Sequence, residues 1–254
     1  MSIAAFQQAL CDLIASPRLC RELRAAPDGV LAHYELTERE RTRLMQAVRQ
    51  PGMSTNCTLY RSNRVTPIYT LLNYTCRSLG EQFAPLLEDF WDGKDYQDGQ
   101  FQSEVERFGG YLRRRIAEGA VASPFAAELL DFELALNALE FGARKEVLRA
   151  LENLPAPGPD TPCRLHPLAR LIRFRHDPTA LLTAAAERVP LSGADIPLRD
   201  AVVVLSAVGG APDLIELSED TRDVLTAGGR FAETLTPRLV PALAQAGLLV
   251  ANSS

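Results

Sequence analysis

Three histidines, five cysteines and a scatter of carboxylates are the residues with which this chain could do chemistry. His33, His166 and His176 stand at no spacing that would bring two imidazoles to one metal ion, and no His-Glu-x-x-His occurs. His176-Asp177 is an adjacent imidazole and carboxylate. At the end of an apolar run it reads as a strand-end turn pair and not as a catalytic dyad. His166, ahead of Pro167, reads as a turn residue. The cysteines are Cys11, Cys20, Cys57, Cys76 and Cys163. An odd number at wide, irregular spacing suits reduced thiols and not a disulfide framework. Cys76 beside Arg77 is the best candidate for a reactive thiol, against the plainer reading of a buried structural one. No nucleophile elbow, P-loop or dinucleotide fingerprint occurs. Arg113-Arg114-Arg115 closes a helical segment, where it complements the helix dipole. From the residues themselves no catalytic group and no metal ligand is assigned.

Composition narrows the class. Of 254 residues 46% are hydrophobic, and the net charge is -5. Neither half is basic: from Asp160 onward nine Lys and Arg face eleven Asp and Glu. That balance argues against neutralising a phosphate backbone. No apolar run approaches the roughly 20 residues of a membrane helix. The start, Met1-Ser2-Ile3-Ala4-Ala5-Phe6, lacks a basic region and an unbroken apolar core, so the expected location is cytoplasmic.

The elements that must position these residues are mostly helices. Phe6, Leu10, Leu13 and Ile14 recur at helical spacing. Ser16-Pro17 signals the start of a second helix through Leu23. Thr37 and Glu40 read as a capping box for a helix to about Arg49, stopped by Gln50-Pro51-Gly52. Residues 53–153 continue helical: a helix around Ile68 to Leu72 entered from Leu59–Asn63, a break and restart at Leu79–Phe83, then Phe101–Ala117 and Phe125–Leu151. Leu154–Cys163 holds four prolines and a glycine and reads as a linker. Beyond it the period changes. Strands are expected at about 168–175, 200–206 and 213–217, with Pro178–Glu187 as a helix. Ser218-x-x-Thr221 opens a helix ended by Gly228-Gly229. Phe231 and Leu235 suggest a short one. Thr236-Pro237 starts a last helix with Leu239, Val240, Leu243 and Leu248 inward. The fold class is therefore α+β. A helical cluster (1–52) and a helical domain (53–153) precede a small winged-helix-like domain (164–254) with about three antiparallel strands.

With these residues laid out, the chain resembles a known group. Leu59-Tyr60-Arg61-Ser62-Asn63 followed by Leu79-Gly80-Glu81-Gln82-Phe83 is similar to the Tyr-Arg-x-Asn … Leu-Val-Gly-Glu-x-Phe pattern of a bacterial family of DNA-binding-domain proteins. Its members sit beside TIM-barrel multinuclear iron enzymes. Leu165-His166-Pro167 with Leu171-Ile172-Arg173-Phe174 resembles that family's second half, as does Glu216-Leu217-Ser218 … Ala246-Gly247-Leu248-Leu249. The likeness covers about residues 55–250. Asn73-Tyr74-Thr75 stands where the family has Phe-Pro. Related proteins are the partner subunits of methanobactin and 3-thiaglutamate biosynthesis. The resemblance implies a heterodimer with an iron-dependent oxidase that modifies a cysteine of a ribosomally made precursor peptide. The iron would belong to the oxidase, with no cofactor on this chain. The extra helices at the start favour the 3-thiaglutamate type, in which the modified cysteine is C-terminal.

On this reading the second half recognises the peptide. Leu214, Ile215, Glu216 and Leu217 would offer a strand, and Arg238, Leu239 and Ala242 the facing helix. Side chains alternate along a strand, so either Leu214 or Ile215 belongs to the core. Tyr60, Arg61 and Asn63 would meet the oxidase, or cap a helix. The competing function is a winged-helix DNA-binding regulator. Its recognition helix should be basic, yet Pro237–Gly247 offers only Arg238.

Overall fold

Local start signals fix the first helices. A computed structural model describes residues 3–92, 101–142, 144–151, 163–191, 195–226 and 239–251. After α1 (Ile3–Ala15), the Ser16 hydroxyl accepts a bond from the Leu19 N–H at 3.2 Å, and Pro17 opens α2 (Pro17–Ala25). α3 (Pro27–Leu31) also opens on proline. α4 (Glu38–Arg49) begins with the capping box expected from Thr37 and Glu40. Pro51 then starts α5 (Pro51–Leu71). The stretch Leu59–Asn63, read as an entry to a helix, lies inside α5. Pro67 is also inside it, and having no N–H it leaves the Asn63 carbonyl without its helical donor. Next come α6 (Asn73–Leu79), a 3-10 turn (Gly80–Gln82), α7 (Phe83–Asp92) and α8 (Phe101–Ala117).

Packing divides the chain into two units. The first comprises Met1–Thr70 and Glu81–Leu112. In it α1 to α4 and the start of α5 bury Leu13, Leu23, Leu31, Leu44 and Val48. An aromatic group adds to this: Phe90 meets the edge of Phe108 at 5.3 Å, and Phe83 and Tyr111 flank them. Glu104, buried in the same unit, accepts bonds from Arg64, Arg107 and the Trp91 indole N–H.

The second unit comprises Leu71–Gly80 and Arg113–Ser254. It contains α6, which the sequence groups with the helical middle segment. Phe125–Leu151, expected as one helix, is two: α9 (Ala126–Glu140) and α10 (Arg144–Leu151). Gly142 explains the break. A Cβ there would sit 2.4 Å from the Ala138 carbonyl oxygen, so the backbone folds back closely on the helix it leaves. Leu148 is accordingly exposed and not part of a continuous stripe.

β1 (Cys163–Leu165), β2 (Ala169–His176), α11 (Pro178–Ala186), β3 (Leu198–Ser206), β4 (Asp213–Glu216), α12 (Glu219–Thr226), α13 (Leu239–Gln245) and β5 (Leu249–Ala251) follow. The three expected strands form an antiparallel sheet in the order β2-β3-β4. The short ladder β1-β5 was not read from the sequence. β3 is central, and Ala201–Ala207 are all buried. Each Val or Leu so covered contributes roughly 1.5–3 kcal/mol. One face of the sheet packs Ile172, Phe174, Val203 and Leu205 with α9 and α11 residues such as Leu129, Phe132 and Leu181. The other packs Val204, with Leu171, Ile215 and Leu217, against Leu225, Leu243 and Leu249. Near its end the β2–β3 ladder slips by one residue: Phe174 pairs with Ala201, but His176 with Leu198. The linker 154–162 and the readings at Gly228-Gly229, Phe231, Leu235 and Thr236-Pro237 lie outside the described residues. Among the described residues no helix is long and apolar enough to cross a membrane.

Candidate functional site

The expected peptide strand is an edge of the sheet. The Leu217 N–H donates to the Val202 carbonyl at 3.0 Å. In an antiparallel ladder this turns the backbones of Asp213 and Ile215 inward too, and those of Leu214 and Glu216 outward. Among the described residues no strand lies beyond β4. The Asp213 carboxylate already accepts the Leu214 N–H at 2.9 Å. The edge therefore offers the Glu216 N–H and the Leu214 and Glu216 carbonyls.

The two alternating sets separate cleanly. Ile215 and Leu217 pack into the core beside Val204 and Leu225. Leu214, 40% exposed, and Glu216 take the other face. Glu216 is held by Arg199, which also bonds Asp177 at 2.6 Å. Of the facing helix, Leu239 begins α13, Ala242 is exposed and Leu243 is buried. Arg238 lies outside the described residues. Gly247 ends α13 at φ 69°, a left-handed backbone that favours glycine, and a methyl group there would lie 3.2 Å from a Val208 methyl carbon, a tight contact.

In the first unit, Tyr60, Arg61 and Asn63 sit in the middle of α5 and cap nothing. The Arg61 guanidinium lies 5.0 Å from the centre of the Trp91 ring and pairs with Glu88. Arg64 covers Tyr60 at 5.7 Å. Tyr60 and Arg61 are half-buried, whereas Asn63 is exposed. Exposed on α5, Asn63 is the residue of the three most open to another molecule.

The groups singled out for chemistry have structural roles. Cys76 is 2% exposed, and burial pushes its thiol up, with Glu133 adding to the effect. That is the opposite of an activated nucleophile. The His166 Nδ1 accepts the Leu168 N–H at 2.9 Å, and burial lowers its pKa, so a neutral ring holds the turn at Pro167. His176 and Asp177 point to different partners. Asp177 caps α11 through the Ala180 N–H at 2.8 Å. The His176 Nδ1 is 2.7 Å from Glu128, whose other oxygen accepts the Arg175 and His176 N–H groups at 3.0 and 3.1 Å. Among the described residues no group of three or more His, Cys, Asp and Glu is placed to hold a metal ion.

Besides Glu104, two buried carboxylates, both on α9, escaped the sequence reading. Glu128 fastens the end of β2 to α9. Glu133 accepts the Tyr74 and Thr75 N–H groups at 2.7 and 2.9 Å, serving as the cap that Leu72 does not provide for α6. Burial pushes Glu133 up to about 7, against the opposing pull of Thr75, the Tyr74 N–H and Arg77. The sequence did carry a signal. Residues 125–139 are apolar on nearly every side, and such a helix is buried all round. Its acids must then find partners inside.

Compared with known proteins, the chain matches no protein-family model, and no curated protein resembles it significantly in sequence.

Proposed function

We propose that the chain is an accessory subunit, not itself an enzyme, that works in the cytoplasm beside a TIM-barrel multinuclear iron oxidase. It binds an extended ribosomal precursor peptide along β4 and presents the peptide's cysteine, C-terminal as in the 3-thiaglutamate type, to that oxidase. The reading of partner and chemistry rests on the sequence motifs quoted above. The observation that carries the peptide role is the outer edge of β4. Glu216 and Leu214 turn backbone groups away from β3, and Leu214 leaves a half-exposed apolar side chain beside them. A peptide strand added there gains main-chain bonds from the edge and side-chain discrimination from Leu214. The exposed Ala242 on α13 suits the facing wall. On the first unit, Asn63 with Tyr60 and Arg61 is the surface assigned to the oxidase.

Co-expression with the oxidase encoded beside it, followed by titration of labelled precursor peptide, tests the reading. A stable complex is expected, with peptide affinity lowered by Leu214→Glu. Failure to form a complex refutes the accessory role, and peptide affinity indifferent to Leu214→Glu refutes the site.

A further inference from the structure

We propose that the opposite margin of the sheet, the outer edge of β2, is a separate docking groove that takes an extended acidic peptide segment as an added strand. This does not depend on the role given to β4. The Ala207 N–H donates to the Leu168 carbonyl at 2.9 Å, so even-numbered residues of β2 face β3 and Leu171, Arg173 and Arg175 face outward. The outward Arg175 N–H already meets an oxygen, that of Glu128. Among the described residues nothing bonds the backbone N–H of Leu171 or Arg173. Both residues line a hollow of about 650 Å³, and Arg173 also lines a second of about 810 Å³ that shares Asp131 with the first. Leu134 and Ala138 of α9 form one wall, and Leu225 of α12 stands on the other side.

Charge selects the occupant. Arg113, Arg170, Arg173, Arg175 and Arg222 line the hollows, against three carboxylates. Two of those carboxylates are engaged, Glu128 by His176 and Asp131 by Arg113 at 2.7 Å each. The exposed side chains of Arg173 and Arg175 have no partner among the described residues. On a chain of net charge -5 this groove is locally positive. The two arginines are two residues apart and share a face of the strand. Acidic residues at alternate positions of an added strand would lie directly across from them. The intervening side chains, if apolar, would meet Leu134 and Ala138. Free acids and nucleic acids lack the alternating donors and acceptors that the open edge calls for.

The test uses the full chain and a fluorescein-labelled peptide of alternating Glu and Val, followed by anisotropy. Comparators are an alternating Lys and Val peptide and the Glu-Val peptide N-methylated at every second residue. The Glu-Val peptide is expected to bind with an affinity that falls as salt rises. Arg173→Glu/Arg175→Glu should weaken it about tenfold or more, since two cross-strand ion pairs become repulsions. Thermal melting should not change, because both side chains are exposed. N-methylation should weaken binding comparably, which separates strand pairing from plain attraction of charge. Four results each overturn the proposal: no binding at millimolar peptide, equal binding of the Lys peptide, indifference to the double substitution, or indifference to N-methylation.

Discussion

Replacing Glu133 by glutamine should change how stability depends on pH. The carboxyl is nearly fully buried, and burial holds its pKa at about 7, whereas an unfolded chain returns it to the ordinary 4.5. The folded protein therefore binds the proton more tightly than the unfolded one. A raised folded pKa means stability that is complete below pH 4.5 and lost as pH climbs through 7. A shift of this size corresponds to ~3 kcal/mol, with a slope of at most ~1.4 kcal/mol per pH unit. Glutamine resembles the protonated acid in shape and keeps one carbonyl oxygen for the Tyr74 or Thr75 N–H. At pH 5 the two proteins should differ least. By pH 8 the variant should have gained ~3 kcal/mol relative to the parent. Urea unfolding followed by far-ultraviolet circular dichroism at pH 5, 6, 7 and 8 measures this, and the difference between the two proteins cancels other titrating groups such as His166. A difference that stays flat, or that moves against the variant as pH rises, refutes the reasoning. It would mean that the two backbone N–H groups outweigh burial and keep Glu133 ionised throughout.

Glu128→Ala should cost ~2–3 kcal/mol, read from urea midpoints, because it strands the Arg175 and His176 N–H groups and an imidazole nitrogen at a buried site. Gly247→Ala should lower stability by ~1–2 kcal/mol, seen as a drop in Tm, from its left-handed backbone and the close Val208 methyl. A thiol reagent at neutral pH should label Cys11 quickly. Cys20, Cys57, Cys76 and Cys163, all buried, should react only after denaturation, as intact-mass spectra of the two samples would show.

What the sequence made legible is what short-range chemistry decides. Ser16-Pro17 and the Thr37–Glu40 box mark helix starts that need no tertiary partner. β2 announces itself by apolar residues alternating with arginines, and β3 by an apolar run rich in valine. The strands β1 and β5 could not be read this way. Cys163 and Ala251 are strand residues because they meet each other, and three residues carry too little pattern to show it. The division of α9 from α10 rests on how near Gly142 comes to Ala138, a distance that spacing does not encode. The run at about 213–217 was read correctly as a strand, while the choice between Leu214 and Ile215 had to wait for the two faces of the sheet. Glu128 and Glu133 look like ordinary charges on a helix until their surroundings are known.

The slip in the β2–β3 ladder has a consequence for which changes the molecule tolerates. A regular strand sends successive N–H groups to opposite sides, so one carboxylate could not accept from two neighbours. Between Leu198 and Ala201 the central strand carries two residues opposite the single Arg175. That surplus lets the consecutive N–H groups of Arg175 and His176 converge on Glu128. The joint between sheet and helix is thus written in chain length and main chain, not in the identity of the side chains at 175, 199 or 200. Substitutions at those positions leave the main-chain clasp in place. Removing one residue there would restore even pairing, return the His176 amide to the sheet and open the clasp.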